Sequence, residues 1–123
     1  DPITMFVPLD TMRDYIHTDD AAARALHWAR MSLATQQSAI RVVASGQPET
    51  LSHIIALMNT ITRVRIPVAS GLHESARVQA SDLRLAPDTD RAIDRLPLTP
   101  LPVGMKQVFL DIRRRHANAK LAG

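Results

Sequence analysis

A long run of apolar residues at helical spacing constrains this chain more than any other feature of its sequence. The apolar positions recur three and four residues apart, at Ala22, Leu26, Ala29, Leu33, Ile40 and Val43. Only Gln36 and Gln37 interrupt the series, Thr18 or Asp19 can cap its amino end, and the break at residues 45–48 stops it. This period is one face of an α-helix and predicts a helix of about seven turns.

A second helix is predicted directly after that break. Its apolar residues keep the same spacing, at Leu51, Ile54, Ile55, Met58 and Ile61. The break reads SGQP, and so short a connection between two helices favours close antiparallel packing. We therefore predict a helical hairpin of residues 19–45 and 50–62.

A third helix is predicted at the carboxyl end of the sequence, from Val103 or Gly104 to about Asn118. Its apolar stripe is formed by Met105, Val108, Phe109 and Ile112. The segment before it reads LPLTPLP, and residues that precede proline avoid helical backbone angles. Residues 97–102 are therefore predicted to be an extended, proline-rich connector.

Four shorter segments complete the secondary-structure prediction. Residues 3–7, ITMFV, are expected to be an edge strand or part of an extended arm of residues 1–8. LDTMRDYIHT, residues 9–18, suggests a turn of helix. TRVRIPVAS, residues 62–70, alternates apolar and polar residues and predicts an edge strand, whereas residues 71–86 favour a helix over a strand.

These elements predict a mainly α-helical single domain over residues 1–123. It consists of a helical hairpin plus a C-terminal helix, and the short extended segments can form a small ribbon. Aromatic residues are only 3% of the chain, so its core buries limited area per residue. Ala22 and Ala29 permit close approach of another helix, and we therefore expect a second copy to complete the apolar face in a homodimer.

The composition also bears on where the protein works. The chain has no cysteine, which excludes disulfides, thiolate metal sites and thiol nucleophiles, and fits a reducing compartment. No apolar run approaches the ~18 residues of a membrane span. The first residues, DPITMFVPLD, lack the cationic start and apolar core of a signal peptide, so a cytoplasmic location is the default expectation.

Charge is distributed unevenly along the chain. Residues 1–62 carry four basic and six acidic side chains, whereas residues 63–123 carry eleven basic and six acidic ones. The overall net charge is +3. A basic second half of this kind indicates a polyanionic or acidic partner, such as DNA or RNA.

The densest cationic stretch is FLDIRRRHANAK, in the predicted third helix. Lys106, Arg113 and Lys120 lie one heptad apart on one flank, and Arg114 and Arg115 stand beside them. Such a stripe can follow phosphates. Cations near the carboxyl end of any helix are also stabilised by its dipole, so a solvated helix end explains the same pattern.

Arg63 and Arg65 form a second cationic pair, within the predicted edge strand. On one face of a β-ribbon they could enter a DNA groove. The same alternation occurs in any half-buried edge strand, where arginine discourages pairing with other strands. Both explanations stay open from the sequence.

No motif indicates catalysis, a cofactor or a metal. The five histidines show no H-x-x-x-H or H-E-x-x-H spacing, and Asp88, Asp90 and Asp94 lack the glycine and glutamate of a calcium loop. The four glycines form no phosphate-binding loop. We therefore expect a protein that is not an enzyme.

Two functions follow from these features. The first is a small basic accessory or regulatory protein of bacterial or phage type that binds nucleic acid through an arginine-rich surface. Its contacts would come from Arg63, Arg65, Lys106, Arg113, Arg114, Arg115 and Lys120. The alternative is a protein–protein interaction adaptor or inhibitor that uses its apolar helix face or its proline-rich segment.

Overall fold

A computed structural model describes residues 2–71 and 82–121, and within them the chain is mostly helical with small sheets. The helices are α1 (Thr18–Thr35), α2 (Leu51–Thr62) and α3 (Leu101–Leu121). The strands are β1 (Ile3–Met5), β2 (Met12–Asp14), β3 (Pro48–Thr50) and β4 (Val68–Ser70). A single 3-10 turn covers Ile93–Arg95.

The strands form two separate pairs that hold the amino-terminal segment against both ends of α2. β1 pairs in parallel with β4, with Ile3 opposite Val68. β2 pairs antiparallel with β3, with Met12 opposite Thr50, and β3 leads directly into α2. In the sequence, α2 therefore lies between β3 and β4, and each of these strands pairs with a strand near the amino end of the chain.

The structure corrects several predictions for the short segments. The expected strand within residues 3–7 is confirmed as β1. The helical turn predicted for residues 9–18 is wrong, because β2 forms there and pairing with a distant strand outweighs local preference. Of residues 62–70 only the last three form a strand. The helix predicted over 71–86 falls largely on residues 72–81, outside the described ranges, and residues 82–86 have no regular structure.

The first helix ends at Thr35, about three turns earlier than the sequence pattern predicted. Gln36 adopts a left-handed backbone with φ of 56°, and its N–H donates to the Ser32 carbonyl oxygen. This is a common way for a helix to stop, so the two glutamines terminate α1 rather than interrupt it. Because residues 36–50 separate α1 from α2, the predicted four-residue turn is wrong and the hairpin is not confirmed.

Residues 36–47 run without regular structure and are held by hydrogen bonds that their backbone N–H groups donate to distant carboxylates. The Val42 N–H donates to Asp88 Oδ2 at 2.6 Å, and the Asp88 N–H donates to the Val42 carbonyl at 3.0 Å. The N–H groups of Ser45 and Gly46 each donate to the Asp14 carboxylate at 2.8 Å. Some backbone N–H groups that would be hydrogen-bonded within a helix are therefore hydrogen-bonded to side chains instead.

The buried side of α1 is polar. Asp20 and Arg24 are only 8% and 5% exposed. The Asp20 carboxylate accepts from the Thr99 N–H at 2.6 Å and from the Thr99 hydroxyl at 3.1 Å. The Arg24 guanidinium donates to the carbonyl oxygens of Leu96 at 3.2 Å and Pro97 at 3.4 Å. These bonds join α1 to the connector that leads into α3.

The apolar residues that predicted α1 lie on its outward side. Ala22, Leu26, Ala29 and Leu33 are all exposed, with Leu26 at 51% and Leu33 at 73%. Periodicity thus located the amino-terminal part of the helix, and the apolar face that it defines lies outward rather than in the interior of the chain. The reason is that the buried charges on the opposite face find hydrogen-bond partners, which makes their burial tolerable.

On its inner side, α1 also contributes to a cluster of side chains around Trp28. His27 Nε2 lies 2.7 Å from Asp90 Oδ2, and the Arg41 guanidinium stacks 4.6 Å from the Trp28 ring centre. Asp90 also accepts from the N–H groups that open the 3-10 turn, at Ala92 and Ile93. The Ile93 hydrogen bond, followed by that from His27, holds the pKa of Asp90 below its usual value.

Little apolar surface is fully enclosed. Among the described residues the buried hydrophobic side chains are Ala44 and Ile93. Thr11 is also buried, and its hydroxyl has no hydrogen-bond partner among these residues. α2, capped by the Thr50 hydroxyl that accepts from the His53 N–H, packs against α3. The polar contacts of α1 and the α2–α3 contact therefore replace a large central core.

The predicted third helix is confirmed, and it extends from Leu101 to Leu121. Leu96, just before the predicted connector of residues 97–102, has an extended backbone, whereas Leu101 and Pro102 of that connector already belong to the helix. Proline is tolerated there because the first N–H groups of a helix have no partner within it. Gly104 is buried against His17, and an added Cβ would lie 3.1 Å from the His17 ring.

Replacing Arg24 with methionine tests the polar attachment of α1. The substitution keeps the length and apolar stem of the side chain but leaves the Leu96 and Pro97 carbonyls without their donor. We expect Arg24→Met to lower the free energy of unfolding by about 2–4 kcal/mol. Urea unfolding monitored by Trp28 fluorescence measures it. The matched control is Arg30→Met at an exposed position of the same helix, and equal effects of the two variants would contradict the assignment.

Candidate functional site

An open apolar groove of about 410 Å³ runs along α3. One wall is formed by α3, through Met105, Val108, Phe109 and Ile112 among others. α2 contributes Met58, Ile61 and Thr62, and the other side is formed by residues 15–18 together with Thr99. Three separate parts of the chain therefore meet around one apolar depression.

The sequence builds this groove through the periodicity of α3. Met105, Val108, Phe109 and Ile112 recur at three- and four-residue steps and so share one face of the helix. The sequence predicted these four residues as an apolar stripe. The structure leaves that stripe partly uncovered, with Val108 53% and Ile112 51% exposed.

The few polar groups of the groove lie mostly at its end near α1. His17 caps α1, because its Nδ1 accepts from the Asp19 N–H at 3.3 Å. Thr99 is already engaged by the Asp20 carboxylate. Since these groups have structural partners, the free part of the groove offers mainly apolar contact to a ligand.

The cations predicted on α3 are all exposed, but they do not form one flat surface. Consecutive residues of a helix are about 100° apart, so Arg113, Arg114 and Arg115 point in three directions. Arg114 and Arg115 each reach Asp111 at 3.9 Å, and the Arg113 guanidinium lies 5.7 Å from the Phe109 ring centre. Ion pairs this exposed stabilise a helix only weakly and leave the guanidinium groups open to a ligand.

Lys106 and Lys120 complete the cations of α3 and are also exposed. On a helical projection, Arg115 and His116 continue the groove face beyond Ile112. Among the residues of α3 the single acidic one is Asp111. The part of α3 that follows the groove is therefore positively charged.

Arg63 and Arg65 follow directly after α2 and are exposed. Arg63 ends the helix with a left-handed backbone, φ 57°, and Arg65 precedes β4 in an irregular segment. The ribbon expected to carry this pair into a DNA groove is therefore not formed at these positions. Thr62 lines the apolar groove, and Arg63 is the next residue along the chain.

Two of the histidines in the described residues, His27 and His53, form isolated pairs with carboxylates. His53 Nδ1 lies 2.6 Å from Glu49 Oε2 across the start of α2, and His27 joins Asp90. Within residues 2–71 and 82–121, no three histidine, aspartate or glutamate side chains come together as they would around a metal ion. Neither pair lines the groove.

The sequence predicted the apolar stripe on α3 and proposed seven cations as contacts, but it did not predict the groove. The signal that was present is the apolar stripe itself, which gives α3 one face suited to apolar contact. The walls of the groove also depend on residues 15–18. Residues 9–18 were predicted to include a turn of helix, whereas residues 15–17 connect β2 to α1 and Thr18 begins α1.

No protein-family model matches the chain, and no curated protein matches it either. Of the helices in the described part of the chain, none combines the length and hydropathy needed to cross a membrane.

Proposed function

We propose that this protein is a protein-interaction module, and that its groove binds an amphipathic helix with acidic flanks. The observation that carries the proposal is the partly uncovered apolar face of α3, where Val108 and Ile112 are about half exposed. Contiguous apolar surface of this kind is characteristic of binding sites.

The size and chemistry of the groove suit a helix. A volume of about 410 Å³ accommodates several aliphatic side chains, which a helix presents at positions i, i+3, i+4 and i+7. Burying apolar surface contributes about 25 cal/mol per Å², and both partners contribute area. Apolar contact therefore supplies most of the expected affinity.

The surrounding charges favour an acidic partner. Lys106, Arg113, Arg115 and Lys120 are carried by the helix that forms one wall, and Arg63 follows the helix that forms another. Residues 51–65 contain no acidic side chain, and α3 contains only Asp111. Complementary charge selects the partner and speeds its association more than it adds affinity.

Fluorescence anisotropy with a labelled model helix tests the proposal. The probe carries leucine at i, i+3, i+4 and i+7 with glutamate at the flanking positions, and a second probe has lysine in place of glutamate. We expect micromolar binding of the acidic probe and at least ~10-fold weaker binding of the basic one. Ile112→Asp should weaken the acidic probe by at least ~10-fold, because it removes apolar contact and repels glutamate.

The matched control is Leu110→Asp, an exposed apolar residue on the opposite side of α3. It adds the same charge to the same helix and should leave the affinity within about twofold. Equal binding of both probes, or equal losses in the two variants, would contradict a groove that selects acidic helices.

Nucleic-acid binding is the second candidate function. The observation in its favour is that Arg113, Arg114 and Arg115 project in different directions from a helix whose last turns are exposed on all sides. Together with Lys106 and Lys120 they make a cationic rod, and Arg63 and Arg65 add charge near α2. Such a surface contacts phosphates without reading bases.

Titrating labelled duplex DNA at ~50 and ~200 mM salt tests this second candidate. It predicts measurable binding that weakens steeply with salt. Replacing Arg113, Arg114 and Arg115 by alanine should reduce the slope of log K against log salt by about three. Arg30→Ala, which removes an exposed cation of α1, serves as the control. Absence of binding at the lower salt would exclude the nucleic-acid function.

A further inference from the structure

We propose that a second copy of the chain covers the outward face of α1 through an antiparallel helix pair. The surface concerned, here the α1 stripe, consists of Ala22, Leu26, Ala29 and Leu33. None of these residues lines the groove along α3. The inference is therefore independent of the proposed function, and both surfaces can be occupied together.

The orientation of the α1 stripe is fixed by bonds on the opposite side of the helix. Asp20 and Arg24 are bound to the backbone and hydroxyl of Thr99 and to the carbonyls of Leu96 and Pro97. Rotating α1 so that the stripe faced inward would break these hydrogen bonds, and it would leave Asp20 and Arg24 either exposed or without hydrogen-bond partners. The outward orientation is therefore a stable feature of the fold, not a consequence of loose packing.

The stripe is continuous, apolar and well exposed. It covers a narrow band of α1 over about three turns, and each of its members is exposed in the single chain. Its two leucines are 51% and 73% exposed. Leucines exposed in succession at helical spacing are typical of a helix seam that another helix completes.

The stripe is sterically complementary to a second copy of itself that runs in the opposite direction. The residues are spaced by four, three and four positions and alternate small and large. When two copies run antiparallel about the midpoint between Leu26 and Ala29, Ala22 faces Leu33 of the partner subunit. In the same register Leu26 faces Ala29 of the partner subunit.

Each leucine thereby meets an alanine, which leaves room for it, and the contact is symmetric as a two-fold interface requires. A parallel pair in register would instead place leucine on leucine and alanine on alanine, with crowding at one level and a gap at the next. The antiparallel pair also sets the two helix dipoles in opposition. Steric fit and dipole direction therefore favour the same arrangement.

The expected dimer is weak. Stable interfaces bury about 800 Å² on each partner, and one face of a three-turn segment supplies only part of that area. A specific but concentration-dependent dimer with a micromolar dissociation constant is consistent with this size.

Cysteine cross-linking tests both the dimer and its direction, because the natural chain has no cysteine. Ala22→Cys and Leu33→Cys are prepared as separate full-length variants, mixed in equal amounts and treated with a short bismaleimide. In the antiparallel pair, positions 22 and 33 of opposite copies are adjacent. Two copies of the same position are about 16 Å apart along the axis.

The expected result is a cross-linked dimer from the mixture and little from either variant alone. A mixture of Leu33→Cys with Leu110→Cys, which places the second thiol on the exposed side of α3, is the control and should not cross-link. Sedimentation velocity of the unmodified protein should show a sedimentation coefficient that rises with concentration. Efficient cross-linking of either variant with itself, or a monomer at all concentrations up to hundreds of micromolar, would overturn the proposal.

Discussion

The attachment of Arg24 and Asp20 to residues 96–99 is the interaction on which the rest of this structure depends. It brings α1 against the connector that becomes α3, and Thr99 and Leu101 of that segment line the apolar groove. It also fixes which side of α1 faces solvent. The placement of the groove and the outward orientation of the α1 stripe therefore follow from one set of polar contacts.

Such a structure balances its energies differently from a protein with a large apolar core. Buried charges are costly unless every donor and acceptor finds a partner, and here the partners are backbone carbonyls and a threonine. The apolar side chains that would ordinarily fill a core remain at the surface of α1 and α3. Binding to a partner is the usual way in which surface of this kind is removed from water.

The sequence predicted those helices and strands that are indicated by the residue pattern within the element itself. The apolar periods located α2 and α3 to within a few residues, and the short apolar run at the amino end formed β1. The cations predicted on α3 are exposed, as a polar helix surface should be. Apolar periodicity predicts a helix well when the helix packs against the rest of the chain through its apolar face.

The remaining features depend on contacts between distant residues, which no local pattern contains. Gln36 ends α1 by taking a left-handed backbone, which its residue type permits but does not require. β2 forms only because Pro48–Thr50 lies beside it. The outward orientation of the apolar face of α1 cannot be read from local sequence, because it depends on hydrogen bonds that Asp20 and Arg24 make with partners more than 70 positions away.

Thiol accessibility along the chain tests most directly whether the polar side of α1 faces inward. Single variants Ala29→Cys, on the α1 stripe, and Ala44→Cys, at a buried position, are reacted with a chromogenic disulfide at a concentration that keeps the chain monomeric. We expect the thiol of Ala29→Cys to react nearly as fast as in the unfolded chain, and the thiol of Ala44→Cys to be strongly protected. Equal protection at both positions would show that the apolar face of α1 is buried within the single chain, and would contradict the account.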